Sequence, residues 1–245
     1  MFSRSIRHAD GDLIEVGGAR VRLKVSGRAR RISLRLDRAS GEVLAIAPSL
    51  RRLGEAAAFA AERQVWIAER LADLPEPRRL APGGVVTVFG QTCRMTRAPG
   101  RAGLEAGDWE RGRRLPLGAD DEAYARAIVE LIKREAKVWF EARCDHHCAA
   151  LGVGRPKLTI NDARTRWGSC SPAQRGRPAS IRLSWRLALA PPAVADYVAA
   201  HECAHLLEAN HGPRFWAHVR TLIGAERPYR AWLRREGQAL HGFGA

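Results

Sequence analysis

The sequence predicts an α+β protein: a β-rich N-terminal region with one helix leads into a helix-rich C-terminal region. Three observations predict it. Apolar and polar residues alternate with period two across residues 12–47. Two long segments, 53–74 and 121–150, carry apolar residues at 3.6 spacing. Near the C-terminal end, a further helical segment holds His201-Glu202-Cys203-Ala204-His205.

In the first region, Val21-Arg22-Leu23-Lys24-Val25 and Ile32-Ser33-Leu34-Arg35-Leu36 alternate strictly, and a turn over Asp37–Gly41 leads to Val43-Leu44-Ala45-Ile46. This is a hairpin pattern. Phe59, Arg63, Trp66, Ile67, Leu71 and Leu74 mark one helix face over 53–74, which Pro75 and Pro77 stop, with Trp66 read as core. Gly83-Gly84 opens a strand over Val85–Phe89, and Cys93–Thr96 is placed to pair with it. Residues 97–120, rich in Gly, Arg and Pro, read as a loop. The expected organisation is therefore a β-rich region over 1–96, a loop or linker over 97–120 and a second, helix-rich domain over 121–245.

In that last part, a long helix starts at Asp121-Glu122, acids suited to its positive end, and buries Tyr124, Ile128, Leu131, Ile132 and Trp139. Lys157–Asn161 and Ser180–Trp185 read as strands flanking a loop. Pro191-Pro192 starts the helix that carries the histidine pair. A shorter helix follows Gly212-Pro213 with Phe215, Trp216 and Val219 at core spacing, and a last one covers roughly 228–240.

Composition narrows the function classes. No run of eighteen apolar residues exists, and no apolar stretch follows the basic N-terminus Met1–Asp10, so neither a membrane span nor a secretory signal is expected and the chain reads as cytoplasmic. Five unpatterned cysteines fit a reducing compartment. The net charge of +15 suggests nonspecific contact with nucleic acid. However, only Lys24, Lys133, Lys137 and Lys157 are lysine, and the arginines are spread along the whole chain, as a compositional bias would leave them.

The histidine motif carries the chemistry. Histidines at i and i+4 share one helix face and can grip one zinc ion, with Glu202 beside the metal's open position. His211 offers a third nitrogen at a zincin-like offset, although Glu208 stands where a turn glycine is usual. The chain is expected to leave the helix near Ala209-Asn210, where Asn210 tolerates the left-handed region. Glu208 competes as third ligand; imidazole's suitability for zinc favours His211. Burying two imidazoles and a carboxylate on one face without a metal costs several kcal/mol. With three protein ligands and one zinc, a water would occupy the fourth position, and Glu202 would take its proton and return it to the leaving amine.

Arg166-Trp167-Gly168-Ser169-Cys170-Ser171, Ile181–Ser184, Asp196-Tyr197-Val198 running into the motif, Asn210-His211 and Phe215-Trp216 together resemble the YgjP-like metallopeptidase family, related to SprT-like (Spartan) proteases and the zincins. The resemblance is specific over 157–240 and weaker at Arg31–Pro48 and Gln64–Ile67. It implies a zincin-like catalytic domain, His201, His205 and His211 as zinc ligands, Glu202 as catalytic base, and a peptide or protein substrate. Gly212 stands where the family often has serine.

Arg166 and Ser169 are candidates to line the cleft, Trp167 to plug the core, Tyr197 to support the ligands and Tyr229 to donate to an oxyanion. An extended peptide is expected to add to Ser180–Trp185 as an edge strand. Cys170 lacks any thiolate-favouring context for a cysteine hydrolase. Cys144-Asp145-His146-His147-Cys148 reads as a helix end rather than a second metal site, and Cys203 as a small core residue. The competing functional classes are a nucleic-acid-associated protein with a structural metal and a Spartan-like protease acting on DNA-bound proteins.

Overall fold

In the computed structural model, which describes residues 7–37, 41–74, 78–107, 109–163, 165–174 and 176–243, helices and sheets mix as the α+β expectation requires. The chain forms two compact units, Met1–Glu76 and Pro77–Ala245. Parts of two expected features, the turn over 37–41 and the helix stop at Pro75 and Pro77, lie outside the described residues.

The first unit is a sheet covered by helices. Strands β1 (Leu13–Val16), β2 (Ala19–Val25), β3 (Ser33–Asp37) and β4 (Glu42–Ala47) lie in the order β1-β2-β4-β3. β1–β2 and β3–β4 are antiparallel hairpins, while β2 and β4 run parallel at the centre. Alternation puts Val21, Leu23, Val43, Ala45 and Ala47 on the buried face.

The expected helix over 53–74 is two helices, α1 (Leu53–Glu62) and α2 (Gln64–Ala72), broken at Arg63, whose ψ is 22°. No glycine or proline marks that break. The buried face also differs from the expected stripe: Leu53, Ala56, Ala60 and Ile67 are buried, whereas the half-buried Phe59 takes the Arg63 guanidinium over its ring at 5.4 Å. Alanine on both helix and sheet lets α1 approach the strands closely, so the larger ring is turned toward the edge.

The second unit opens with an antiparallel meander of β5 (Val85–Val88), β6 (Gln91–Ala98), β7 (Arg101–Ala106) and β8 (Trp109–Arg114). The expected loop over 97–120 is therefore corrected: most of it is strand. Two of its glycines mislead because they serve close approach, while Gly100, Gly107 and Gly118 turn the chain at φ 69°, 57° and 74°. Gly103 lies opposite Thr96 on one side and Gly112 on the other. A Cβ on Gly103 would run into the Thr96 hydroxyl, and one on Gly112 into the Arg101 guanidinium. Ala102 and Leu104 alternate with them into the core. The β5–β6 turn puts Phe89 and Gly90 at φ 47° and 78°, a type I′ geometry. Phe89 is held there by stacking on Trp139 at 4.3 Å and by its N–H, which donates to the Ala188 carbonyl at 2.6 Å.

Helix α3 (Asp121–Leu151) is the spine of this unit. The Asp120 carboxylate caps it by accepting from the Ala123 N–H at 2.7 Å, and Gly152 ends it in the left-handed conformation at φ 66°. Its buried face includes Tyr124, Ile128, Leu131, Ile132, Ala136 and Phe140, while Trp139 is half-buried. A second sheet follows, from β9 (Lys157–Asn161), β10 (Gly168–Ser171) and β11 (Ser180–Ser184), in the order β10-β11-β9. β11 is thus the central strand, which overturns its expected role as the edge. β10, a further strand absent from the sequence reading, occupies that edge instead; its segment, Gly-Ser-Cys-Ser, lacks a strand's apolar alternation. Helices α4 (Pro192–Ala204), α5 (Pro213–Ile223) and α6 (Arg227–Arg235) complete the unit. α6 stops short of the expected 240, and residues 237–242 continue as a 3₁₀ turn.

The glycine argument is testable by urea unfolding. Gly103→Val is expected to destabilise by about 1–3 kcal/mol through overpacking. Gly154→Ala, where a Cβ meets nothing within 4 Å, is expected to change stability by less than about 0.5 kcal/mol.

Candidate metal centre

Helix α4 begins with Pro192 in its first turn and is buried nearly all round, so its polar residues sit in the interior rather than on a wet face. His201 and Glu202 lie in its last turn, and His205 is the C-cap. The helix therefore ends earlier than the expected exit near Ala209-Asn210. Tight bonds close it, from the Leu206 N–H to Cys203 O and from the Leu207 N–H to Ala204 O. No left-handed residue is needed; Phe89 is the only non-glycine with positive φ among the described residues. The turn delivers His211 just before Gly212, the N-cap of α5.

This geometry brings the three histidines together. One ligand atom from each of His201, His205 and His211 lies within 4.8 Å of the others, and among the described residues no other group of His, Cys, Asp or Glu meets that spacing. The ring centroids are 4.7 to 5.0 Å apart. His201 Nε2 and His211 Nε2 face each other at 3.0 Å. His205 Nδ1 lies 2.9 Å from the Glu208 carbonyl, which can only accept, so the tautomer is Nδ1–H and the Nε2 lone pair is free. The same bond shows what Glu208 does: its backbone holds a ligand ring, and its carboxylate is not part of the cluster. The Tyr197 hydroxyl stands 3.5 Å from His201 Nδ1.

Phe215, fully buried, packs its ring 4.4 to 4.8 Å from all three imidazoles. Trp216 donates its indole N–H to the His211 carbonyl at 3.0 Å and fixes that turn. Burial, with help from the neighbouring imidazoles and Arg230, pushes His201 down to about 3. His211 is also lowered, chiefly by burial. Three imidazoles with one nitrogen each within 4.8 Å of the others fit a divalent cation, and an all-imidazole donor set suits zinc.

Glu202 is not a member of that cluster. It is 5% exposed, and burial raises it to about 7, against a lowering pull from Arg166. Its carboxyl lies flat on the backbone of β10: a Cβ on Gly168 would sit 2.5 Å from Oε1 and 2.8 Å from Cδ. Gly168 is thus a site residue in its own right, one that the sequence reading quoted only within a resemblance. Ser169, next to it, is half-buried opposite Arg182. Arg166 is exposed. Trp167 stacks on His241 at 5.0 Å and packs with Val194 near the start of α4. Tyr229 stacks on Tyr197 at 5.7 Å. Burial raises Tyr197 to about 12, so its hydroxyl stays protonated.

Behind α4, Arg143 grips Asp196 with two bonds of 2.6 and 2.8 Å, and His147 Nε2 meets the same carboxylate at 2.7 Å. These tie α3 to the helix of the site. Cys148 and Cys203 pack with sulfurs 3.8 Å apart, and Cys144 is buried with them; all are free thiols. The segment 144–148 is helix, ending at Leu151 as expected. Cys170 is raised to about 12 by burial and by Glu202, which leaves no thiolate for nucleophilic chemistry.

Gly168→Ala is expected to displace the Glu202 carboxyl and to lower stability in urea by about 1–3 kcal/mol. Unchanged stability, with Glu202 unmoved in a crystal structure of the variant, would contradict the packing described.

Comparison with known proteins adds an independent finding. The family model described as the YgjP-like metallopeptidase domain matches residues 30–236. No curated protein and no solved structure matches the chain. With its three-histidine cluster inside a match that covers most of its length, the chain belongs to the YgjP-like metallopeptidase family.

Proposed function

We propose that this protein is a zinc-dependent peptidase whose catalytic unit is Pro77–Ala245, with His201, His205 and His211 as ligands of one zinc ion and Glu202 as general base. The observation that carries the reading is the division of labour on α4: three imidazoles converge, while the adjacent carboxyl is buried beside them and outside the cluster. Zinc, when bound, supplies Lewis acidity toward a carbonyl oxygen and a water molecule.

The protein's own groups do the rest. Glu202, raised to about 7, is matched to accept a proton near neutral pH and to release it to a departing amine. Gly168 and the backbone of β10 hold that carboxyl in one place. The Tyr197 hydroxyl and the Glu208 carbonyl orient the rings of His201 and His205. The Spartan-like reading rests on the resemblance to SprT-like proteases and on the net positive charge, whereas a structural metal asks for four protein ligands, and no fourth donor joins the three among the described residues.

The peptide is proposed to lie along β10. The Ser184 N–H donates to Trp167 O, so Trp167, Ser169 and Ser171 turn their backbone groups toward β11. Gly168 and Cys170 therefore turn theirs to the open edge. An extended chain pairing there would pass beside Glu202.

The test is elemental analysis together with cleavage of a quenched fluorescent peptide library. One zinc per chain and cleavage abolished by a chelator are expected. Glu202→Gln should keep the zinc and lose about 10²–10⁴-fold in rate, while His205→Ala should lose the zinc. Undiminished cleavage by Glu202→Gln would refute the assignment.

A further inference from the structure

Two arginines flank this site, and neither forms an ion pair with a carboxylate among the described residues. Arg230 projects from α6 and rests on the Trp216 ring at 4.8 Å. That ring lies 5.8 Å from His211 and 6.0 Å from His201. Next to Arg230 in sequence, Tyr229 stacks on Tyr197, which faces His201. α6 is thus laid along one flank of the histidine cluster. On the Glu202 side, Arg166 enters β10 two residues before Gly168, the residue that backs the carboxyl.

Both arginines are exposed. Some arginines of this unit are paired, Arg101 with Glu110, Arg111 with Glu135, Arg143 with Asp196, and Arg186 with Asp162, and others, such as Arg113 and Arg114, are not; what distinguishes Arg230 and Arg166 is their position beside the site. Glu226, buried at the start of α6, pairs with neither Arg230 nor Arg166.

The Arg230 guanidinium, held over an indole, has less freedom to lose and presents a planar fork that suits a carboxylate. Together with Arg166 on the Glu202 side, it forms a charge pattern that an acidic chain would match and a basic chain would not.

We propose that the substrate is an acidic peptide segment, with Asp or Glu side chains flanking the bond to be cut, read by Arg230 on the histidine side and Arg166 on the Glu202 side. The inference rests on the peptidase reading for the identity of the site, but the charge preference is measurable without turnover.

The experiment uses the zinc-loaded full chain carrying Glu202→Gln, so that peptides are bound and not consumed. Two fluorescein-labelled decapeptide pools with amidated C-termini share a randomised neutral core. One has Asp at the flanking positions and the other has Lys. Affinities come from anisotropy at 0.1 M salt. The Asp pool is expected to bind about tenfold more tightly than the Lys pool. Arg166→Ala with Arg230→Ala should remove most of that ratio. Arg113→Ala with Arg114→Ala, a change of equal charge on exposed residues of β8, should leave it within about twofold. Equal binding of the two pools, or an equal loss from the β8 pair, would overturn the proposal. Incubating the unmodified enzyme with both pools separates the two ideas: discrimination without cleavage of either pool would count against the peptidase reading and leave the acid preference standing.

Discussion

Three imidazoles gathered at one point set the terms for the rest of the C-terminal unit. One nitrogen of each lies within 4.8 Å of the others, and His201 Nε2 and His211 Nε2 are 3.0 Å apart. Holding them so needs rings fixed in orientation, rings kept unprotonated and a backbone that brings a third residue round. The structure supplies each. Glu208 O and Tyr197 OH face the outer nitrogens, burial keeps His201 neutral, and the early exit at His205 turns the chain through His211 into α5. Phe215 beneath all three rings makes the arrangement a packed object rather than a loose cluster.

That cluster stands on a helix with little freedom of its own. α4 is lined by small residues, Ala195, Ala199, Ala200, Cys203 and Ala204, all buried, so neighbouring elements press close to its backbone. α3 clamps it through the Arg143–Asp196–His147 group and the thiol contact of Cys148 with Cys203. β10 presses from the side of Glu202, with Gly168 leaving room for a carboxyl and nothing larger. The site is therefore built on rigid elements, and its acid is positioned by steric contact as much as by charge.

Much of this was legible from residues alone, because the chemistry is local. The i, i+4 histidine pair, the intervening acid and His211 are brought together by one helix and one turn, so spacing reveals them. The long helix from Asp121 was legible for the same reason: its cap, apolar stripe and terminal glycine are all local signals. What escaped detection depends on distant partners. The strands over 101–114 look like loop because Gly103 and Gly112 answer to Thr96 and Arg101 across the sheet. β10 has no apolar alternation and becomes a strand by pairing with β11. The helix exit at His205 comes with tight backbone bonds from Leu206 and Leu207, which composition cannot show. Arg230 gave no signal among so many arginines, and only the fold places it over Trp216.

The central claim is that three imidazoles of this chain hold one metal ion and leave part of its coordination sphere to solvent or substrate. X-ray absorption spectroscopy of the zinc-loaded protein measures this directly. The account predicts three imidazole nitrogens and one light oxygen at about 2.0–2.1 Å. A zinc closed by four protein ligands, or a sulfur at about 2.3 Å from any of the five cysteines, would contradict it.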